Sequence, residues 1–484
     1  MGWDKKELEA LPAKGGVIMA GDDRLETYSE DSMMRGRPDA VLVARDEQEV
    51  AEAMAWCNAK LIPVTLCGSQ TSMTGASVPM EGLVISTEKL EGLVDIYSDG
   101  DRNFAVVRPG TVVADFQRAV ADAGFFYPVA PTSRDECRIG SNVVTNATGE
   151  DSHKYGPARP HVKGVELILP SGERRILERQ AGEKPSWDRN RAGYFVGWKN
   201  PIDLIIGSEG TLGFVSRATF ELLPASRDFF SALIPLPSND VALRLVVEIA
   251  QRRRDISPRT LEFIDGNALE VMRTADGFPA IPGEARAFLY IKQEFEGDSD
   301  RDRQLELWYE AALPFAGRAL ADNILIASTF KERENFRLWR HHIPETENET
   351  GRKFWADGGG KVGSDWWVPI DRLLEMMKFF YETVGATGLS HIAYAHIGAG
   401  HPHTNIQTRN AKEKAIALDA LRACCRRAVE LGGGVAGEHG IGKIHTDLVP
   451  IQHSSAIIEQ MRKWKSEYDP NWILGRGNIF ERKP

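Results

Sequence analysis

A chain of 484 residues is too long for one compact domain, and roughly 150 residues per domain predicts two or three. Hydrophobic residues at 42% and charged residues at 26% are an ordinary globular balance, which excludes wholesale disorder and fibrous repeats. The net charge of −10 argues against a nucleic-acid partner. Five cysteines (57, 67, 137, 424, 425) without CxxC spacing predict neither a disulfide framework nor an iron–sulfur cluster. No apolar run approaches the ~20 residues that span a bilayer, and Met1-Gly-Trp-Asp-Lys-Lys6 lacks the apolar core of a signal peptide. The expected compartment is the reducing cytoplasm.

In chain order, Asp46-Glu-Gln-Glu49 is a capping box that opens an amphipathic helix to about Lys60. A β-like run, Leu61 to Leu66, empties into the loop Gly68-Ser-Gln-Thr-Ser-Met-Thr-Gly75. A helix over about 111–124 precedes a small-residue stretch from Pro131 to Gly156. Runs at 162–169 and 202–206 read as strands and flank Gly207-Ser-Glu-Gly-Thr-Leu-Gly213; Pro224 then punctuates the chain. Beyond it the pattern predicts a strand (229–236), a helix (238–253) and a strand (259–264), then a second strand–helix pair at 286–294 and 300–313. That repetition suggests an antiparallel sheet with helices on one face. A helix over 408–431 is stopped by Gly432-Gly-Gly434, and another over about 453–468 by Asp469-Pro470.

The loop Gly68–Gly75 could bring several backbone N–H groups to one phosphate, because short side chains let the backbone approach. A second polar, glycine-spaced stretch runs through Pro131-Thr-Ser133, Ile139-Gly-Ser-Asn142, Thr145-Asn-Ala-Thr-Gly149 and Lys154-Tyr-Gly156, and Gly207–Gly213 is a third. Over about residues 37–224 this set resembles the FAD-binding half of the vanillyl-alcohol oxidase superfamily, the p-cresol methylhydroxylase (PCMH) type. Asn190-Arg-Ala-Gly-Tyr194 fits the resemblance too. It implies an α+β fold with a PCMH-type FAD-binding domain over 1–224. It also implies a pyrophosphate held by Gly68, Ser69, Gln70, Thr71, Ser72 and Gly75. Pro131, Thr132, Ser133, Gly140, Ser141, Thr145 and Asn146 would line pyrophosphate and isoalloxazine. Glu209 would support the adenine end, with Val215 just beyond it. Cys67 stands where the family usually has an arginine or similar residue, and no histidine lies in 68–75, so the FAD is expected to be non-covalent.

Six of the eleven histidines lie between positions 391 and 445. In His391-Ile-Ala-Tyr-Ala-His-Ile397 the strand period of two puts His396 on one face with Tyr394. Gly398-Ala-Gly400 turns the chain, after which His401, His403 and Asn405 can share a face. Glu438-His439 sits at a glycine-hinged bend. A His/His/carboxylate set suits zinc or manganese with one position open for substrate. These segments resemble the C-terminal half of FAD-linked 2-hydroxy-acid dehydrogenases, the group of D-lactate dehydrogenase, D-2-hydroxyglutarate dehydrogenase and the glycolate oxidase flavoprotein subunit. The carriers are His396…Gly398…Gly400…His403 and the intact Gly437-Glu-His-Gly-Ile-Gly442. The resemblance implies that His396, His403 and Glu438 are metal ligands and His439 the catalytic base. It further implies an antiparallel-sheet cap domain over 225–431 and a C-terminal segment, 432–484, returning to the flavin site. Ala399 and His401 replace the family's Asp and Asn, which leaves His401 open between an extra ligand and a substrate contact.

Phe336-Arg-Leu-Trp-Arg340-His-His-Ile-Pro-Glu345 resembles the family segment whose arginine holds the substrate carboxylate through a bidentate pair. Arg340 is the match, with Arg337 one turn away as the substitute, and Lys361 resembles a second carboxylate contact. Pro344, Trp366, Trp367 and His401 depart from the family and predict a tail pocket more apolar than one built for a second carboxylate. In the C-terminal ending, Gly475-Arg-Gly477 replaces the family's Asn-Pro-Gly. The implied activity is metal-assisted, FAD-dependent oxidation of a 2-hydroxy acid, the D enantiomer, to the 2-oxo acid. An external acceptor would take the electrons: electron-transfer flavoprotein, a quinone or a cytochrome. The alternative is a flavin-binding relay or structural subunit of a larger oxidase complex. A homodimer and a peripheral position at a membrane are both compatible with the resemblance.

Overall fold

The computed structural model describes residues 4–13, 16–19, 22–180, 182–185 and 189–481; the first three residues of the start read above lie outside them. The chain forms two compact units. The first gathers 1–149, 156–226 and 438–484, and the second 150–155 and 227–437. The last stretch therefore joins the first unit from Glu438 onward rather than from 432.

In the first unit the helix Glu47–Lys60 is capped by Asp46, where the sequence places its start. Asp46 Oδ1 accepts from Glu49 N at 2.8 Å, and Glu49 Oε2 accepts from Arg45 N at 2.8 Å. Leu61, in the left-handed conformation with φ 58°, ends it. The strands β1 (Gly16–Met19), β2 (Ala40–Val43), β3 (Val64–Cys67) and β4 (Leu83–Ser86) form a sheet in the order β1-β2-β4-β3. β2, β4 and β3 are parallel and β1 is antiparallel. Ala-Val-Leu-Val and Leu-Val-Ile-Ser are the continuous runs expected of parallel strands covered on both faces. Leu42, Val50, Met54, Cys57, Leu83 and Ile85 form the core between sheet and helix.

The second sheet of this unit is built from β5 (Leu93–Asp99), β6 (Arg102–Val107), β7 (Phe125–Phe126), β8 (Val162–Ile168), β9 (Arg174–Glu178) and β10 (Phe214–Pro224). Its order is β5-β6-β10-β8-β9, with β7 on the end of β10. The 202–206 run is not a strand. Ile202–Ile205 is one helical turn started by Pro201, and its buried Asp203 binds Arg159 and Arg179 at 2.8 and 2.6 Å. A five-residue run with four apolar residues, broken by Asp203, suits a buried turn as well as a strand, and proline at its head favours the turn.

The second unit is a seven-stranded sheet of β11 (Asp228–Leu236), β12 (Thr260–Ile264), β13 (Ala287–Phe295), β14 (Leu325–Ala327), β15 (Gly360–Ser364), β16 (His391–Ala395) and β17 (His403–Thr408). The order is β14-β11-β13-β12-β16-β17-β15, antiparallel throughout. The Asn239–Gln251 helix packs on Asp298–Ala316 and Leu373–Gly385, and the latter on Ala411–Glu430. The 23-residue helix Phe330–Arg352 touches β14 and β11 at one edge of the sheet and β15 and β17 at the other. At 1.5 Å per residue it is roughly 35 Å long, enough to cross all seven strands. That crossing brings Arg340, near its middle, over the central strands.

Candidate active site

In the first unit the three glycine-rich segments are built under steric constraint. A Cβ at Gly68 would lie 2.4 Å from Ser141 Oγ, and one at Gly140 would lie 2.6 Å from Pro109 Cβ. Six non-glycine residues among those described have positive φ, and three of them fall one in each segment: Gln70 (53°), Asn146 (50°) and Glu209 (54°). Such strain persists only where the surroundings over-determine it, and it concentrates at ligand clamps. Ser69 Oγ donates to Glu136 O and accepts from Arg138 Nε, which ties the first segment to the second. Gln70 Nε2 donates to Glu30 O, Ser72 and Thr74 share a hydroxyl bond, and Thr145 Oγ1 donates to Ser141 O. Pro131, Thr132 and Ser133 make the turn whose carbonyls cap Arg134, Glu136 and Cys137. Val215 is a core residue of β10 opposite Leu167.

Buried polar atoms lie beside this framework without a hydrogen-bond partner: Asn146 Nδ2, Thr148 Oγ1 and Ser208 Oγ. Burying such atoms unpaired costs about 1–3 kcal/mol each. Their position along segments two and three fits a polar cofactor such as FAD.

Glu209 does something the sequence does not reveal. Its carboxylate accepts from Ile441 N and Gly442 N, both at 2.7 Å. Burial pushes its carboxyl up to about 7 against the pull of those N–H groups and Lys443. A Cβ at Gly440 would sit 2.5 Å from Glu209 Oε1, so the glycine is required. Lys443 N donates to Thr74 O at 2.9 Å, and its Nζ to Gly75 O and Asn478 Oδ1. The bend that carries Glu438 and His439 is thereby fastened to segments one and three of its own unit.

In the second unit, Arg340 is buried and donates from Nε to Glu262 Oε2 at 2.7 Å. Among the described residues this is its one hydrogen bond. The guanidinium stands over the Tyr394 ring, 5.3 Å from the centroid. The other oxygen of Glu262, Oε1, lies 3.0 Å from His396 Nδ1, within hydrogen-bond distance although turned off the ideal line. Burial would raise the Glu262 carboxyl, but Arg340 and His396 prevail and hold it at about 2. His396 leaves the strand just after Ala395 and opens a turn, so it does not continue the face of Tyr394. His401 also lies in the turn, before β17 begins at His403. The turn brings the imidazoles together all the same. Ring centroids are 5.2 Å apart for His396 and His403, 5.0 Å for His401 and His403, and 6.2 Å for His396 and His401.

His401 Nε2 is 2.9 Å from Asp365 Oδ1, and Asp365 also accepts from Gly437 N. Asp365, His401 and His403 bring ligand atoms within 4.8 Å of one another. Two of the clustered histidines thus face a buried carboxylate with one ring nitrogen, the arrangement that orients imidazoles at metal centres.

Arg337 is engaged elsewhere: its Nη2 pairs with Glu334 at 2.6 Å. Lys361 is buried on β15 with Nζ on Asn348 Oδ1, and burial pushes its ammonium down to about 8. Trp366 is fully buried, 6.3 Å from the Phe380 ring, and belongs to the core rather than to a tail pocket. Glu262 and Asp365 escaped the sequence reading. A carboxylate amid the otherwise uncharged Thr260–Ile264 strand was the available signal.

Residues 38–178 match a family described as an FAD binding domain, and residues 226–479 match the FAD linked oxidases, C-terminal domain. The chain belongs to the FAD-linked oxidase family. It is an FAD-linked oxidoreductase related to 2-hydroxy-acid dehydrogenases. It is 28% identical to the glycolate oxidase subunit GlcD of Bacillus subtilis, covering 94% of this chain and 92% of that protein. It is 29% identical to a D-lactate dehydrogenase of Archaeoglobus fulgidus, covering 91% of each. A D-2-hydroxyglutarate dehydrogenase of Stutzerimonas stutzeri is 27% identical over 98% of both chains. Among solved structures, 4-ethylphenol oxidase from Gulosibacter chungangensis shares the fold, with a TM-score of 0.71, 14% identity and coverage of 99% and 98%. No helix among the described residues is long and apolar enough to cross a membrane.

Proposed function

We propose that this FAD-linked oxidase converts a D-2-hydroxy acid to the 2-oxo acid and passes the electrons to an external acceptor: electron-transfer flavoprotein, a quinone or a cytochrome. The observation that carries the reading is the placement of Arg340 and His396 on the two oxygens of one buried carboxylate, Glu262. A guanidinium and an imidazole one side chain apart suit a substrate whose carboxylate and hydroxyl sit on adjacent carbons. The relatives named for glycolate, D-lactate and D-2-hydroxyglutarate support the same substrate class.

FAD, held non-covalently, supplies the two-electron acceptor. A divalent metal, zinc or manganese, held by His396, His403 and Glu438 would lower the pKa of the substrate hydroxyl. Arg340 binds the substrate carboxylate through its Nη edge and fixes the face of the α-carbon presented for oxidation. His439 accepts the hydroxyl proton. The imidazoles suit such a metal because Glu262 faces Nδ1 of His396 and Asp365 faces Nε2 of His401, the carboxylate–imidazole pairing that orients histidines at metal centres.

The substrate tail is proposed to be uncharged. Trp366, packed against Phe380 in the core, does not bear on this point, and Lys361 supports it. Its ammonium is partnered by Asn348 and faces Glu347, so it does not offer a free charge to a second carboxylate. A panel of D- and L-2-hydroxy acids, read by bleaching of the bound flavin without oxygen, tests both points. Bleaching by an aliphatic D-acid with the highest kcat/KM is expected. D-2-hydroxyglutarate as the best substrate would refute the uncharged tail, and no bleaching by any member would refute the substrate class.

A further inference from the structure

We propose that Glu262 is a positioning residue shared by the metal site and the substrate anchor. One oxygen holds His396 by Nδ1, so that Nε2 is the ligating nitrogen. The other holds Arg340 by Nε, so that its Nη edge meets the substrate carboxylate. This rests on the 2-hydroxy-acid reading above.

The strand β12 is buried at all five positions, and Glu262 is 0% exposed. A buried charge is retained only when it is paired, since removing a partner costs about 3–5 kcal/mol. A carboxylate is acceptor-only, so both of its oxygens require donors. At 2.7 Å the first donor is Arg340 Nε, the inner N–H of the guanidinium rather than the terminal fork. Gripping the inner nitrogen fixes the plane and azimuth of the group while the two Nη atoms remain outside the contact. The second oxygen, Oε1, lies 3.0 Å from His396 Nδ1, an ion-pair contact whose angle falls short of a hydrogen bond. A proton held there sets the tautomer in which Nε2 carries the lone pair, and ligation by Nε2 needs that lone pair.

The pairing also has a topological cause. Arg340 comes from the helix that crosses the sheet, Glu262 from the central strand β12, and His396 from the turn after β16, the strand next to it. A purely structural ion pair would need Arg340 and Glu262 alone. The imidazole on the remaining oxygen is what joins the pair to the metal cluster.

Glu262→Gln separates the roles. An amide has one acceptor and one donor end, so its NH2 must face either Arg340 Nε–H or His396 Nδ1. Facing Nδ1, it drives the proton to Nε2, where it blocks ligation; facing Arg340, it breaks the anchor. The test uses FAD-loaded full-length protein stripped of metal and titrated with Zn²⁺ against a competing chelator. Wild type should bind Zn²⁺. The Gln variant should keep its FAD and bind Zn²⁺ about 10- to 100-fold more weakly or, where the amide turns to Arg340, show a KM for the hydroxy acid raised by a similar factor. Glu262→Asp keeps the charge but withdraws the oxygens by one methylene. It should show at least a tenfold loss in one of the same two readouts, and it decides the matter if the Gln variant does not fold. Zn²⁺ affinity and KM within about twofold of wild type in a folded variant would overturn the proposal. If wild type binds no Zn²⁺, the metal-assisted reading fails first and this inference falls with it, an outcome distinct from wild-type binding that the variants leave unchanged.

Discussion

His439 lies between Glu438 and Gly440, and the two residues after Gly440 hand their N–H groups to Glu209. A base set on so constrained a bend keeps its position without substrate, and removing a positioned general base costs about 10²- to 10⁴-fold in rate. His439→Gln should therefore lower kcat by that order while leaving FAD content and Zn²⁺ affinity at wild-type values; a variant with normal kcat would show that the proton goes elsewhere. Acid precipitation of either protein should release all of the flavin. Single-residue chemistry was legible only where motif and geometry coincide. His396 and His403 stand out by the crowding of histidines, whereas Arg340 is singled out only by the family resemblance. Arg337 is excluded only by its pairing with Glu334. Glu262 was out of reach because a strand pattern gives the face of a residue but not the partner that a helix 78 positions later brings to it.

Elements were read most faithfully where local chemistry marks their ends. Asp46 caps Glu47–Lys60, glycines follow Ala411–Glu430, and Asp469 follows Ser455–Tyr468, all at or near the positions the sequence predicts. The 202–206 run failed because four apolar residues carry too little periodicity to separate a turn from a strand. Trp366 shows the same limit one level up. Its sequence context, beside Lys361 and a second tryptophan, reads equally well as pocket wall or as core. The indole in fact fills the space between the end of β15 and the Leu373–Gly385 helix, against Phe380. Trp366→Ala should then destabilise the second unit by about 3–5 kcal/mol, read as a fall in denaturant midpoint. Trp366→Phe should leave the order of preference among 2-hydroxy acids unchanged. A change in that order without loss of stability would place the indole against substrate after all.

Across the whole molecule the chain leaves its first unit at Ser226 and re-enters it at Glu438. Glu209, more than two hundred residues upstream of the bend it holds, is one of the ties that secure this return. The fold of each half was legible because its strands and helices have local signals, whereas the assignment of the last stretch to the first unit came only from family resemblance. No local pattern reveals which buried carboxylate meets which backbone N–H. That tie has a pH signature. Burial raises the Glu209 carboxyl from its ordinary value of 4.5 to about 7. Below pH 4.5 the group is protonated folded and unfolded alike, and it contributes no difference. Between about 4.5 and 7 the unfolded chain has released its proton while the folded one retains it, so stability falls as pH rises, by up to about 1.4 kcal/mol per unit. Above pH 7 both forms are ionised and the loss levels off at about 3 kcal/mol. Glu209→Gln cannot titrate. Guanidinium midpoints measured at pH 5, 6, 7 and 8 should show wild type losing stability relative to the Gln variant up to pH 7 and running parallel to it beyond. Parallel behaviour across the entire range would mean that Glu209 is already ionised at pH 5, with the two N–H groups and Lys443 outweighing its burial.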